Sequence, residues 1–133
     1  MKITIYIIRF LLAVLFIMHG IEKIFIKSLL PAEGINPDFE TFYKLLTSTG
    51  FLVFVGFFQL LCGLLLIFKR TSLLGAVMLF PLILCLVMTH IFISKTIYYV
   101  IFDTVLLAMN VMILIPRFKD LKTVILQPSN TLF

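Results

Sequence analysis

Apolar residues fall into four long blocks: 3–25, 51–68, 73–93 and 97–115. Each block is close to the roughly 17–25 residues a helix needs to cross a bilayer. The runs are continuous rather than alternating, which excludes a barrel of short two-faced strands. The pattern therefore predicts an all-α protein: a four-helix transmembrane bundle forming a single domain over residues 1–116, followed by an interfacial tail over 117–133. The first block resembles a signal peptide in having Lys2 ahead of an apolar stretch. It is long, holds Arg9 inside it and lacks an A-x-A type cleavage site, so we read it as a retained helix.

The connections are unequal. The "KRTS" and "SKT" turns are short enough to force antiparallel neighbours, whereas the first connection runs for about twenty-five residues and calls for structure of its own. Within it, Asn36 is placed as an N-cap, Pro37 at the first helical position, Asp38 in the first turn and Gly50 just past the end. Phe39, Phe42, Tyr43 and Leu46 recur at three- and four-residue spacing. The spacing predicts a short amphipathic helix over 37–48, lying in the interface or over the bundle mouth.

Composition narrows the class without changing this picture. The 133 residues are 62% hydrophobic and 13% charged, with a mean hydropathy of +1.23, far from an ordinary soluble domain. The net charge of +5 follows from topology. Lys2, then Lys69 and Arg70, then Arg117, Lys119 and Lys122 mark one side, which the positive-inside rule makes cytoplasmic. On the other side Lys27, Lys44 and Lys95 are offset by Glu33, Asp38 and Glu40. Both termini are thus expected in the cytoplasm of a bacterial inner membrane. The cations suit anionic lipid and give no support to nucleic-acid binding.

Polar residues inside the blocks are the informative ones, because a charge at a helix centre costs about 2.5–3.5 kcal/mol on insertion scales. With a rise of about 1.5 Å per residue, Glu22 and Lys23 lie within about 5 Å of the outer end of the first helix and His19 about 9 Å in. His90 lies about 5 Å from its outer end, Asp103 about 9 Å and Gln59 about 12 Å from theirs. These six form an outer polar level. Arg9 and Asn110, about 9 and 8 Å from the inner ends, form a second level and are expected to meet.

His19, Glu22 and Lys23 share a helix face with Arg9, and this stripe is expected to look into the bundle. Gly56 and Gly63 flank Gln59 and allow a close neighbour. Pro81 frees the carbonyl of Val77 and is expected to bend the third helix and open space at the bundle centre. Asp103 wants a cation, and Lys23 is the expected partner, with a histidine as the other natural choice. His19 and His90 are read as hydrogen-bonded structural residues before metal or haem ligands, since no third ligand has clear spacing. Cys62 and Cys85 have no C-x-x-C context and read as small hydrophobes.

An Arg early in the first helix, then "HGIEKIF", then "GFFQLLCGLLLIFKRTSLLGAVML" before and after a basic turn, resembles the DoxX family of small four-helix membrane proteins. The likeness covers the first three membrane helices; the fourth agrees in length and polarity. It implies a membrane bundle found beside redox enzymes, some of them quinone-linked. Where relatives commonly carry a Glu, this chain has Gln59, which cannot ionise. Three function classes follow. The first is an accessory or binding subunit that holds a quinone or lipid in an outer polar cavity and supports a membrane redox partner, without stand-alone catalysis. The second is a small proton-coupled transporter using Glu22. The third is a passive assembly factor for another membrane protein.

Overall fold

The computed structural model describes residues 2–26 and 36–126. The expected charges at Lys27 and Glu33 and the end of the tail lie outside them. Six α-helices follow in order: α1 (Lys2–Phe25), α2 (Pro37–Ser48), α3 (Phe51–Ile67), α4 (Ser72–Thr89), α5 (Ile97–Leu114) and α6 (Phe118–Ile125). A π-helical turn, His90–Ser94, extends α4, and a 3₁₀ turn, Ile115–Arg117, separates α5 from α6 at Pro116. There are no strands among the described residues.

The long helices close a ring in which α1 packs on α3, α3 on α4, α4 on α5 and α5 back on α1. Three stretches are long and apolar enough to cross a membrane: Lys2–Phe25, Ser72–Ser94 and Ile97–Ile125. The pair α2 and α3, bent by 83°, makes a fourth if counted as one span. Leu12, Phe16, Leu66, Leu79 and Ile83 fill the centre and are fully buried. The outward faces carry exposed apolar side chains such as Phe10, Met18, Phe54, Phe57 and Val105, the surface a lipid-embedded bundle presents. The protein is thus an all-helical, multi-pass membrane bundle.

The interface between α1 and α3 is the most extensive in the ring, and its geometry requires glycine. A methyl group on Gly20 would lie 2.7 Å from the Gly56 carbonyl oxygen and 2.8 Å from the Leu60 nitrogen. One on Gly56 would lie 2.9 Å from the Gly20 carbonyl oxygen, and one on Gly63 would meet the Ala13 carbonyl oxygen at 2.9 Å. The atoms in the way are backbone, so the helix axes would have to separate. What comes close to Gly56 and Gly63 is therefore helix α1 itself.

Local signals at α2 act as the sequence suggests. Asn36 accepts a hydrogen bond from the Asp38 backbone nitrogen at 3.0 Å, and Pro37 opens the helix. Gly50, at φ 78°, adopts the left-handed conformation that lets the chain turn into α3. Two expectations change. First, packed side chains rather than open space occupy the bundle centre. Second, the inward face of α1 is Leu12, Ala13, Phe16 and Gly20, leaving His19 and Glu22 at its edge. Spacing shows which residues share a face, but the smooth glycine face wins the place against α3.

Replacing Gly20 by Val should cost about 1–3 kcal/mol, as overpacking does. Gly50→Ala, where a side chain meets open space, should cost only the roughly 1–2 kcal/mol of a left-handed residue. Reversible unfolding in mixed detergent micelles measures both. The α1–α3 contacts should be disrupted only in the Gly20 variant.

Candidate functional site

The end of α4 builds the site. Its last turn widens to π geometry, with the Lys95 backbone nitrogen donating to the His90 carbonyl at 2.8 Å and Lys95 at φ 54° reversing the chain. The Ser94 hydroxyl donates to Thr96 Oγ1 at 3.0 Å, and Thr96 Oγ1 lies 3.2 Å from the Ser94 carbonyl, tying the reversal together. This short connection brings α5 back alongside, so that Asp103, about two turns into it, faces His90. His90 Nε2 lies 3.4 Å from Asp103 Oδ2, with side-chain exposures of 14% and 8%. The distance is that of an ion pair, but the groups are not aligned as a hydrogen bond. Among the described residues Asp103 Oδ2 and His90 Nδ1 have no hydrogen-bond partner.

Aromatic rings frame the pair. Tyr99 of α5 lies 5.1 Å from the His90 ring in a near-parallel arrangement. Phe39 lies 5.5 Å away and is the buried residue of α2, which packs on α3 and the π turn. The amphipathic helix therefore reaches the site through one apolar side chain. Such a setting offers a donor or acceptor nitrogen and a carboxylate oxygen in an apolar frame, where an unpaired polar group costs about 1–3 kcal/mol and a hydrogen-bonding ligand recovers it.

The other expected residues divide. His19 Nδ1 takes Glu22 Oε2 at 3.3 Å, and the His19 ring meets Phe102 edge-on at 6.4 Å. This second histidine–carboxylate pair is half-exposed, at 37% and 43%. The two histidines therefore pair with carboxylates and not with each other. Lys23 is half-buried and close enough to Glu22 and Asp103 to be felt electrostatically, yet it makes no ion-pair contact among the described residues. The expected pairing of Asp103 with Lys23 is thus replaced by His90, because the reversal after α4 delivers the imidazole to Asp103. Gln59 is 1% exposed between its flanking glycines, and its Oε1 has no partner among the described residues.

Arg9 and Asn110 do not meet. The Arg9 guanidinium sits 4.7 Å from the Tyr6 ring centre, and Asn110 Nδ2 donates to the Ala76 carbonyl at 3.0 Å. Ala76 precedes Val77, whose helical donor Pro81 removes, so Asn110 ties α5 to α4 where the ladder is weakened. Tyr99 and the π turn were not singled out from sequence. An aromatic in the first turn of the last helix was the only available signal for Tyr99. Cys62 is buried and Cys85 exposed, both as free thiols. Among the described residues no three His, Cys, Asp or Glu side chains group as metal ligands.

Tyr43 lies on the amphipathic helix α2, outside the three helices that are each long and apolar enough to span. Its phenol is pushed above its ordinary value of 10.0, first by burial and then by the Glu22 carboxylate. The folded state therefore favours the neutral phenol. That contribution to the docking of α2 is fully present below pH 10 and is lost as pH rises through the higher folded value. A difference titration of tyrosinate absorbance between wild type and Tyr43→Phe should show a class titrating above the ordinary value. Titration at or below it would contradict the buried placement.

Fold and site together define a small multi-pass membrane protein with a polar cluster at the end of the bundle that carries α2. The DoxX family model matches residues 4–93, and the chain belongs to the DoxX family. The matched segment contains α1 to α4 and His90 but stops short of α5, which supplies Asp103 and Tyr99. No curated protein and no solved structure matches the chain significantly.

Proposed function

We propose that this protein is a membrane binding subunit whose His90–Asp103 pair, beneath α2, receives the polar headgroup of an amphiphile of the quinone class. The observation that carries the reading is a largely buried imidazole and carboxylate with atoms unpartnered among the described residues, framed by Phe39 and Tyr99. A quinone ring would stack on the aromatics while a carbonyl oxygen accepts a hydrogen bond from the imidazole. The redox partner is taken from the family resemblance, and the protein's own role is to hold and present the ligand. The exposure of Glu22 and its pairing with His19 argue against a helix-1 proton carrier of the exporter kind. A passive assembly factor has no use for an unsatisfied buried pair.

Organic extraction of purified protein, followed by chromatography and mass spectrometry, tests the reading. Wild type should yield bound quinone in near-stoichiometric amount. His90→Phe should bring it to background, and Asp103→Asn, which removes the anion facing the imidazole donor, should lower affinity about tenfold, about 1.4 kcal/mol. A blank from wild-type protein purified from native membrane would overturn the proposal in favour of the assembly role.

We further infer that the protein lies in a bacterial inner membrane with both termini in the cytoplasm. Lys2, Lys69, Arg70, Arg117, Lys119 and Lys122 all belong to the end of the bundle where α1 begins, α3 turns into α4 and α5 leads into α6, as the positive-inside rule requires. A fluorescent protein fused after Phe133 should fluoresce, and an alkaline phosphatase fusion at the same place should be inactive. The reverse pattern would invert the topology.

A further inference from the structure

The end of the bundle opposite His90 holds a cavity of about 360 Å³, and its chemistry is one-signed. Lys2 and Arg9 of α1, Lys69 of the turn before α4, and Arg117 after α5 all line it. No carboxylate lines it, and none of the four cations takes part in an ion pair among the described residues. Four like charges converging from three parts of the chain repel one another, and an anion between them removes that cost. Among the described residues Arg9 has the Tyr6 ring as its one partner, and it lies seven residues, about 10 Å, along the helix from Lys2.

The site is also built, rather than a chance crowding of surface lysines. Ser72 is buried at its floor, accepts a hydrogen bond from Arg117 Nη1 at 3.2 Å and donates to the Lys69 carbonyl at 3.0 Å. One hydroxyl thus holds two cationic segments in a fixed relation. Ile5, Ile113 and Pro116 complete the wall, and exposed Ile3, Ile7, Ile115 and Phe118 continue the apolar surface beyond the lining residues. An inorganic anion has no use for that continuation, whereas an anion carrying acyl chains does.

We propose that this cavity binds the phosphate-bearing headgroup of an anionic phospholipid, with Arg9 and Arg117 as the main phosphate contacts and the chains lying on the apolar faces. The site is separate from the His90–Asp103 pair and does not depend on its reading. It ties α1, α3–α4 and α5 together at the end where their connections are charged.

Delipidated protein in a mild neutral detergent, titrated with phosphatidylglycerol, with phosphatidylcholine and with inorganic phosphate and followed by native mass spectrometry, tests it. Phosphatidylglycerol should bind at lower concentration than phosphatidylcholine, and inorganic phosphate at the same concentration should not displace it. At about fivefold per charge removed, Arg9→Gln with Arg117→Gln should weaken binding about 25-fold. Lys119→Gln with Lys122→Gln, which removes equal charge outside the cavity, should change it less than about twofold. If the arginine pair fails to fold, Lys2→Gln with Lys69→Gln carries the same expectation. Equal binding of the two lipids, equal weakening by the Lys119 and Lys122 changes, or full displacement by inorganic phosphate would each overturn the proposal, the last in favour of a free-phosphate site.

Discussion

Backbone-to-backbone contact between α1 and α3 at Gly20, Gly56 and Gly63 is the constraint on which the bundle rests. Hydrocarbon solvates leucine as well as another helix does, so helices in a bilayer are held by close van der Waals packing and by polar contacts. Glycine supplies the first by removing the side chain that would keep the axes apart. A similar approach recurs where a methyl group on Gly75 would lie 3.0 Å from the Cys62 carbonyl oxygen, which seats α4 on α3. With α1, α3 and α4 fixed in this way, α5 closes the ring and its position decides what the polar residues touch.

That closure places polar chemistry at three levels. In the middle, Asn110 bonds across to the Ala76 carbonyl beside the proline-weakened part of α4, a tie worth roughly 0.6 kcal/mol by the measure of other membrane helices. At the α2 end, His90 and Asp103 share a buried site under Phe39. At the terminal end, cations meet without acids. The centre between them is apolar and filled by buried side chains such as Leu12, Phe16, Leu79 and Ile83.

Much of this was legible in the chain. Helix positions follow from the lengths of the apolar blocks, because in hydrocarbon every backbone group must be satisfied within a helix. The cap at Asn36, the start at Pro37 and the turn at Gly50 follow from local hydrogen bonding and backbone freedom. The expectation that His90 and Asp103 share an outer level comes from the fixed rise of a helix. Depth does not supply azimuth, however. Lys23 and His90 sit at similar distances from the same end, and only the rotation of α4 and α5 about their axes, set by the π turn and the Ser94–Thr96 knot, gives Asp103 to the histidine.

The sequence alone determined the membrane class and the apolar blocks from which the long helices form, since both depend on short-range periodicity and on the thickness of a bilayer. The tertiary structure decided which face of α1 turns inward, which cation meets Asp103, what α2 covers and where Arg9 and Arg117 converge. These depend on how far two helices can approach and how each is rotated when they do. Packing of Gly20 against Gly56 settles that rotation for α1, and no spacing within a single helix encodes it.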